Sequence, residues 1–393
     1  MRAHVLLSLT LLGLTVACRE GTDSPTAPDT PTVSATTASA LVFAQVSAGG
    51  QHACGVTSDN RLYCWGRNSE GELGDGTTTN RLVPVVVAGA LHFRQVGAAG
   101  LSTCGVTTDN RAYCWGDNSY GELGIGSTSP RLTPAAVTGG HQFRRVDALS
   151  YHFCAVTYPD NRAFCWGSNT YGQLGIGNNT GPQTGRLGPY SSKPVAVSGG
   201  LTFRHVTAGH WHSCGVTTDG RIFCWGYNRY GQVGDNSTGW LRFKPSQVAG
   251  TQQYRQVDAG LYHTCAVTTG DRGFCWGDNR YGQLGNGTQS SSRYPKPVSG
   301  GLSFSQVSGG IWHTCATTTA NRAYCWALGD GGLMPTAVAG GLPFNQVSAG
   351  ENFTCGKTTE GRGYCWGNNY PYGQLGNGTT ESSPTPVPVA APM

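Results

Sequence analysis

From Phe43 onward the chain is a succession of short runs in which apolar and polar positions alternate. One stretch shows the set: Phe93 to Val96, Cys104 to Thr107, Tyr113 to Trp115 and Pro134 to Val137. β-Branched and aromatic residues fill these runs and Gly, Asn, Asp and Pro separate them, which is the pattern of strands joined by tight turns. The set recurs. Its clearest mark, a Cys-Trp pair, stands at Cys64-Trp65, Cys114-Trp115, Cys165-Trp166, Cys224-Trp225, Cys275-Trp276, Cys325-Trp326 and Cys365-Trp366, which makes seven units.

Four strands per unit, repeated at a period of about 50 residues, describe the blade of a propeller. A parallel β-helix has much shorter rungs, and an open solenoid needs atypical capping units, which are not visible. The predicted fold is therefore all-β: a seven-bladed β-propeller of four-stranded blades, with repeats over approximately 43–92, 93–142, 143–202, 203–253, 254–303, 304–343 and 344–390. The first copy opens at Phe43 with no Pro-x-x-Val run before it, while Pro386 to Val389 stands spare at the other end. The expectation is that this C-terminal strand pairs with the N-terminal blade and closes the ring, leaving no sheet edge open. Two copies depart from the rest. The sixth is shortened after Trp326, and the third carries an insertion at Asn178 to Ser192.

Composition narrows the function classes. The 393 residues include 60 Gly, 10 Trp and only 12% charged residues. So much aromatic surface argues against a disordered chain, and the glycines follow no three-residue period, which excludes collagen. The formal charge of +5 is spread thinly with no run of Lys and Arg, so no nucleic-acid partner is expected. At the N-terminus Arg2 and His4 precede an apolar stretch from Val5 to Val16, followed by Ala17 and Cys18. A basic start, a short apolar segment and a small residue before the cleavage point describe a secretory signal. The stretch falls short of the about 20 residues needed to span a bilayer. Leu14 to Cys18 resembles the bacterial lipobox, although Thr15 stands where Leu is commoner. On this reading residues 1–17 are a lipoprotein-type signal peptide and Cys18 is the lipidated first residue, tethering the protein to the bacterial cell envelope. Simple secretion is the alternative. Residues 18–41 are rich in Ser, Thr and Pro and read as a semi-extended linker. The lipid would be the only membrane contact, and a monomer is expected.

Besides Cys18 there are seven pairs: Cys54/Cys64, Cys104/Cys114, Cys154/Cys165, Cys214/Cys224, Cys265/Cys275, Cys315/Cys325 and Cys355/Cys365. Each pair straddles a turn such as Ser58-Asp59-Asn60, so its members face each other across a hairpin. Opposed positions there lie about 4.5 to 5.5 Å apart, within reach of a disulfide. Zinc is the rival reading, but it favours short Cys-x-x-Cys ligand pairs. One disulfide per blade is the stronger reading, and it places the domain outside the cytoplasm.

The order Phe-x-x-Val, Ala-Gly-x-x-His, Tyr-Cys-Trp-Gly-x-Asn and Gly-Gln-Leu-Gly resembles the regulator-of-chromosome-condensation repeat family. Clear instances are His263 to Gly285 (HTCAVTTGDRGFCWGDNRYGQLG) and His212 to Gly234, and the likeness extends over nearly everything from 43 to 390. It implies a seven-bladed propeller and much less about activity, since propellers host unrelated functions. Exported bacterial members look like inhibitor-type propellers that grip partner proteins through one loop-bearing face. The family's nuclear founder catalyses guanine-nucleotide exchange, but an exported, disulfide-rich domain does not meet a cytosolic GTPase.

Candidate chemistry is sparse. His52, His152, His212, His263 and His313 recur two residues before the first Cys. Equivalent positions in separate blades cannot converge on one ion, so no metal is expected, and a hydrogen bond to a nearby turn is the simpler role. Arg61, Arg111, Arg162, Arg221, Arg272, Arg322 and Arg362 recur in the hairpin turns, six of them with an acid one or two residues before, which suggests a turn role over an anion-binding ring. There is no sialidase-type Asp box, P-loop or nucleophile elbow, so neither an enzyme nor a cofactor is expected. The position three before the first Cys is occupied by Gln51, Leu101, Tyr151, Trp211, Tyr262, Trp312 and Asn352. All seven fall on one face of the ring, so blades three to six offer an arc of Tyr151, Trp211, Tyr262 and Trp312 with His210 beside it. Such rings either bind a partner protein or merely cover the blade ends. A glycan, stacking on the same arc, is the alternative ligand.

Overall fold

The computed structural model describes residues 40–185, 187–327 and 332–392. The expected signal segment 1–17, Cys18 and the linker as far as residue 39 lie outside the described residues, as do residues 328–331 of the shortened sixth copy. The described chain is a seven-bladed β-propeller, and no α-helix occurs among the described residues. Each blade is an antiparallel meander. In the first, the inner strand Phe43–Ala48 pairs with His52–Thr57, then Leu62–Gly66, then the outer strand Arg81–Val86. The other blades repeat this order, and the third adds a short arm, Gln183–Gly185, folded from its insertion against the outer strand. Among the described residues no helix is long and apolar enough to cross a membrane.

The second strand of each blade is buried almost without interruption because it has a neighbouring strand on both edges and a neighbouring blade on both faces. Between blades the core repeats. Of the seven Trp residues of the Cys-Trp pairs, six lie against the Phe that opens an inner strand, as Trp115 does on Phe93 at 5.9 Å, and Trp276 shares a core cluster with Tyr254. Six of these Trp residues are wholly buried. The expected disulfides are formed in all seven blades, each joining the second and third strands at directly opposed positions with Cα atoms 4.0 to 4.1 Å apart. Seven such bridges fit an exported protein.

At the ring's seam the C-terminal strand Ser383–Pro388 lies at the junction with the first blade, but its ladder bonds run to Gly363–Gly367 of its own blade. The expected pairing into the N-terminal sheet is replaced by side-chain packing: Val387 and Val389 join the cluster containing Phe43, Val46 and Trp65. The first blade has its own outer strand, because the Pro-x-x-Val run ends each repeat and does not begin it. Backbone bonds complete the seam, from Phe43 N to Gly361 O at 2.7 Å and from Gly378 N to Leu82 O at 2.9 Å.

Unpaired edges of the inner strands meet side chains of the adjacent blade. Gln346 of the seventh blade accepts from Val46 N at 3.1 Å and donates to Val46 O at 3.0 Å. Gln45, Gln95, Gln256 and Gln306 make the same two-bonded contact with Val96, Val146, Val307 and Val347. Blades three and four carry Arg145 and His205 instead. One level higher, Ser47, Asp258, Ser308 and Ser348 each accept a backbone N–H from the next blade at 2.9 to 3.1 Å.

Candidate functional site

In every blade but the sixth, two loops meet on one face of the ring: the turn between the inner and second strands, and the long loop between the third and outer strands. The long loop is held rigidly by the Asn of Trp-Gly-x-Asn. In the first blade Asn68 accepts from Leu73 N at 2.9 Å and donates to Thr77 O and Thr79 O at 3.0 and 3.1 Å. In blades one to five the Gln or Glu of the following Gly-x-Leu/Val-Gly motif accepts the N–H of the residue two before it, as Gln173 does from Tyr171 and Gln232 from Tyr230, at 2.9 and 3.0 Å. That residue is Tyr in blades two to five: Tyr120, Tyr171, Tyr230 and Tyr281.

These tyrosines interleave with the predicted arc. Tyr120 packs on Tyr151 at 5.0 Å, Tyr151 on His210 at 5.1 Å, and His210 on Trp211 at 4.8 Å. Trp211 then meets Tyr171 at 5.2 Å, Tyr227 at 5.6 Å and Tyr262 at 5.2 Å, and Tyr262 meets Tyr230 at 4.9 Å. Most of these contacts are tilted or edge-to-face, the geometry that aromatic quadrupoles favour. The structure therefore brings Tyr151, His210, Trp211 and Tyr262 into one continuous ladder. Trp312 is not part of it and pairs with Tyr281 at 5.5 Å. All five predicted residues are half-buried. They cover the blade ends and still present ring surface to solvent.

Sequence reasoning missed Tyr120, Tyr171, Tyr227, Tyr230 and Tyr281. The signal was there, since a Tyr-Gly step recurs before Leu or Val in four consecutive copies, but it reads equally well as turn punctuation.

The face is electrically quiet. Burial holds His210 down to about 4 and raises Tyr262 to about 12, so both are uncharged near neutrality. Arg280 lies 4.8 Å from the Tyr230 ring centroid and is paired with Asp278 at 3.0 Å. Beside the ladder the central channel opens into a mouth of about 220 Å³ lined in part by Leu149, Tyr151, His210, Ile311, Arg67 and Glu351.

The other recurrent residues have local work. Each repeat His lies in a separate junction between blades, where its Nε2 meets a Thr or Ser hydroxyl of the next blade at 2.7 to 2.9 Å. The partner is thus a neighbouring blade, where a nearby turn was expected. Arg61, Arg162, Arg221 and Arg272 lie over the ring two residues on, 5.2 to 5.5 Å from its centroid. Asp59, Asp109, Asp160 and Asp219 accept hydroxyl bonds from Thr57, Thr107, Thr157 and Thr217 of their own hairpins. On this face the aromatic surface spans blades two to five, with rings held in place by their neighbours.

The chain matches the sequence model described as "Regulator of chromosome condensation (RCC1) repeat" over residues 59–106, 109–156, 160–216, 219–267, 272–317 and 360–393. A second model with the same description matches 43–72, 203–232, 254–283 and 344–374. It is similar to the Arabidopsis thaliana "Ultraviolet-B receptor UVR8", 34% identical over 254 residues that make up 64% of this chain and 44% of the receptor. It is also similar to the human "Probable E3 ubiquitin-protein ligase HERC4", 36% identical over 138 residues, 35% of this chain and 12% of the ligase. The chain thus aligns with less than half the length of either relative. Among solved structures, Saccharomyces cerevisiae Prp20p superposes with a TM-score of 0.69 at 20% identity, covering 79% of this chain and 81% of that one. That likeness concerns the fold.

Proposed function

The chain belongs to the regulator of chromosome condensation (RCC1) repeat family, and from this we propose that it is a non-enzymatic interaction propeller that binds a partner protein through its aromatic face. The carrying observation is the ladder from Tyr120 to Tyr230 through Trp211. Trp and Tyr dominate the energetics of protein interfaces because they bring large contact area at small cost in rotamer entropy. Here the rings already restrain one another, which lowers that cost further. The yeast relative Prp20p has been described for its binding to Gsp1p and histones, which is in keeping with a protein-binding role.

Seven buried disulfides support export. The Ala17-Cys18 step supports a lipid anchor at Cys18 that would display the propeller as a monomer on the bacterial envelope. The test is capture of partners from the native envelope by the wild-type chain and by the Trp211→Ala and Tyr262→Ala variants. Loss of about tenfold or more in affinity for the same partner, as hot-spot residues give on truncation, is the expected result. Unchanged capture by both variants overturns the assignment to this face, and retention of a glycan in place of a protein, lost in the same variants, favours a lectin-like propeller.

A further inference from the structure

A second feature adjoins the far end of the ladder at Tyr230, where the long loop of the fourth blade meets the outer strand of the fifth. It is an open groove of about 610 Å³ whose lining contains three cations, Arg229, Arg293 and Lys296, and no carboxylate. The nearby acids are already engaged. Asp235 is paired with Arg242 at 2.6 Å and Asp278 with Arg280 at 3.0 Å. Arg229, Arg293 and Lys296 have no ion-pair partner among the described residues. In a chain with only 12% charged residues, three unmatched cations in one groove leave a local positive field.

Aromatic rings flank these cations. Arg229 lies 5.1 Å from the ring centroid of Trp240, which at 63% exposure is the one tryptophan among the exposed large hydrophobics. Lys296 donates to the Tyr294 hydroxyl at 2.7 Å, with its ammonium 4.3 Å from that ring's centroid, and Tyr294 is itself exposed. Tyr230, the last ring of the ladder, also lines the groove, and the rest of the lining is amide and hydroxyl, including Asn236, Asn286, Thr288 and Ser290. Gly231 lets the loop lie against Arg293, since a Cβ there would come within 2.6 Å of the Arg293 backbone.

We infer that this groove binds an anionic polysaccharide, one bearing sulfate or uronate groups, through its own cations and without the part of the aromatic face centred on Trp211. Each part of the lining matches a part of such a chain. Guanidinium and ammonium groups pair with sulfate or carboxylate. Exposed rings stack on the apolar faces of sugar rings, and the amides and hydroxyls exchange hydrogen bonds with sugar hydroxyls. A volume of about 610 Å³ open to solvent is far more than a single small anion needs and suits a chain that runs through. A nucleic acid would need a longer basic track than three cations supply, and an acidic peptide would leave the row of hydroxyl and amide groups unused.

The full chain is tested for binding to heparin, polygalacturonate, neutral dextran and linear polyphosphate at low salt. The expected result is retention of heparin or polygalacturonate, none of dextran, and a loss of about tenfold or more in the triple variant Arg229→Gln, Arg293→Gln, Lys296→Gln, with affinity falling as salt rises. Because Arg229 is exposed, Arg229→Gln alone repeats the measurement should the triple variant lose its fold. Trp240→Ala is expected to weaken polysaccharide binding about as much as Arg229→Gln does, the scale of stacking on an exposed ring. Equal binding by wild type and charge variants, no binding at low salt, or polyphosphate bound as tightly as heparin with Trp240→Ala without effect would each overturn the inference. Trp211→Ala should leave this binding intact, which separates the result from that for the aromatic face.

Discussion

His212 Nε2 stands 2.8 Å from Thr264 Oγ1 in the next blade, and both are fully buried. The hydroxyl donates its own proton to Gln232 O at 2.8 Å, a carbonyl that also receives the Trp276 indole N–H at 2.9 Å. With the hydroxyl proton spent, the imidazole must be the donor to it, so the neutral Nε2–H tautomer is fixed. His52–Thr103, His152–Ser213, His263–Thr314 and His313–Thr354 repeat the contact. The two remaining junctions lack it in a complementary way: by repeat position Ser102 replaces the histidine where Phe153 replaces the hydroxyl residue, and Phe353 replaces the histidine where Ala53 replaces the hydroxyl residue, these last two sharing a core cluster. A bulky ring on one blade goes with a small residue on the other.

This complementarity can be tested at the His212 junction. His212→Phe alone is expected to cost about 2–4 kcal/mol, a lost hydrogen bond together with a bulkier ring pressed against Thr264, and Thr264→Ala about 1–3 kcal/mol. The double variant His212→Phe, Thr264→Ala copies the Phe353–Ala53 junction and should cost less than the two single losses added, by about 1–2 kcal/mol of coupling. Urea unfolding of the four proteins decides it, and strict additivity would show that the pair does not act as a unit.

The same histidines set a pH dependence. Burial lowers His52, His152 and His212 to about 3 and His263 and His313 to about 4, against about 6.5 when unfolded. The fold therefore prefers them neutral. Their contribution is complete above about pH 6.5 and is lost as pH falls towards 4, at about 1.4 kcal/mol per pH unit for each histidine. Buried acids act in the opposite sense: burial raises Glu72, Glu122 and Asp258 and takes Asp147 to about 7, so the fold holds their protons more tightly and they offset part of the slope. The expected net effect is loss of stability between pH 6 and about 4, with proton uptake on unfolding. The His212→Phe, Thr264→Ala protein should show a slope shallower by about one proton, read from unfolding free energy against pH, and an unchanged slope would clear His212 of the effect.

How much of this was legible in the sequence depends on what was local to one repeat. The Cys54–Cys64 bridge and the strand alternation around Trp115 follow from spacing inside a single hairpin. The clustering of Tyr151, Trp211 and Tyr262 followed from one repeat position, and the tyrosines between them from another that was passed over as turn chemistry. What failed was assignment across a boundary. The Pro-x-x-Val run was counted at the front of a blade when deciding how the ring closes, although it pairs with the Cys-Trp strand before it, as Cys64 does with Val85. The role of the histidines needs two blades at once, since His52 carries no mark that its partner is Thr103, 51 residues away.

The glutamine contacts at the inner strands yield a stabilising substitution. His205 occupies the position where Gln256 bonds twice to Val307, yet it is buried with both ring nitrogens unpartnered. His205→Gln is expected to raise stability by about 1–2 kcal/mol, one or two net hydrogen bonds. Gln256→Ala, which strips both bonds, should lower it by about 1–3 kcal/mol. Thermal or urea midpoints of the two variants provide the check, and a His205→Gln protein no more stable than wild type would mean that the fourth blade's edge is satisfied in another way.

The disulfides brace hairpins whose strands are already paired, so their effect falls mainly on the unfolded chain. Cys214 and Cys224 are separated by 10 residues and sit opposite each other in the ladder. Closing such a loop is worth about 2.5–3 kcal/mol on the chain-entropy model. The Cys214→Ala, Cys224→Ala protein should retain the ring and unfold about 2–3 kcal/mol more easily. Cys224→Ala alone should be worse, because it leaves a thiol buried beside Thr264 and free to exchange with other bridges. Reduction of all seven bridges should destabilise far more than any one removal, since each of the seven blades loses its own constraint. Intact mass of the exported protein with and without reductant gives the count, two hydrogens gained per bridge. A protein that gains none, or whose stability is indifferent to reductant, would remove the physical ground for placing this propeller outside the cytoplasm.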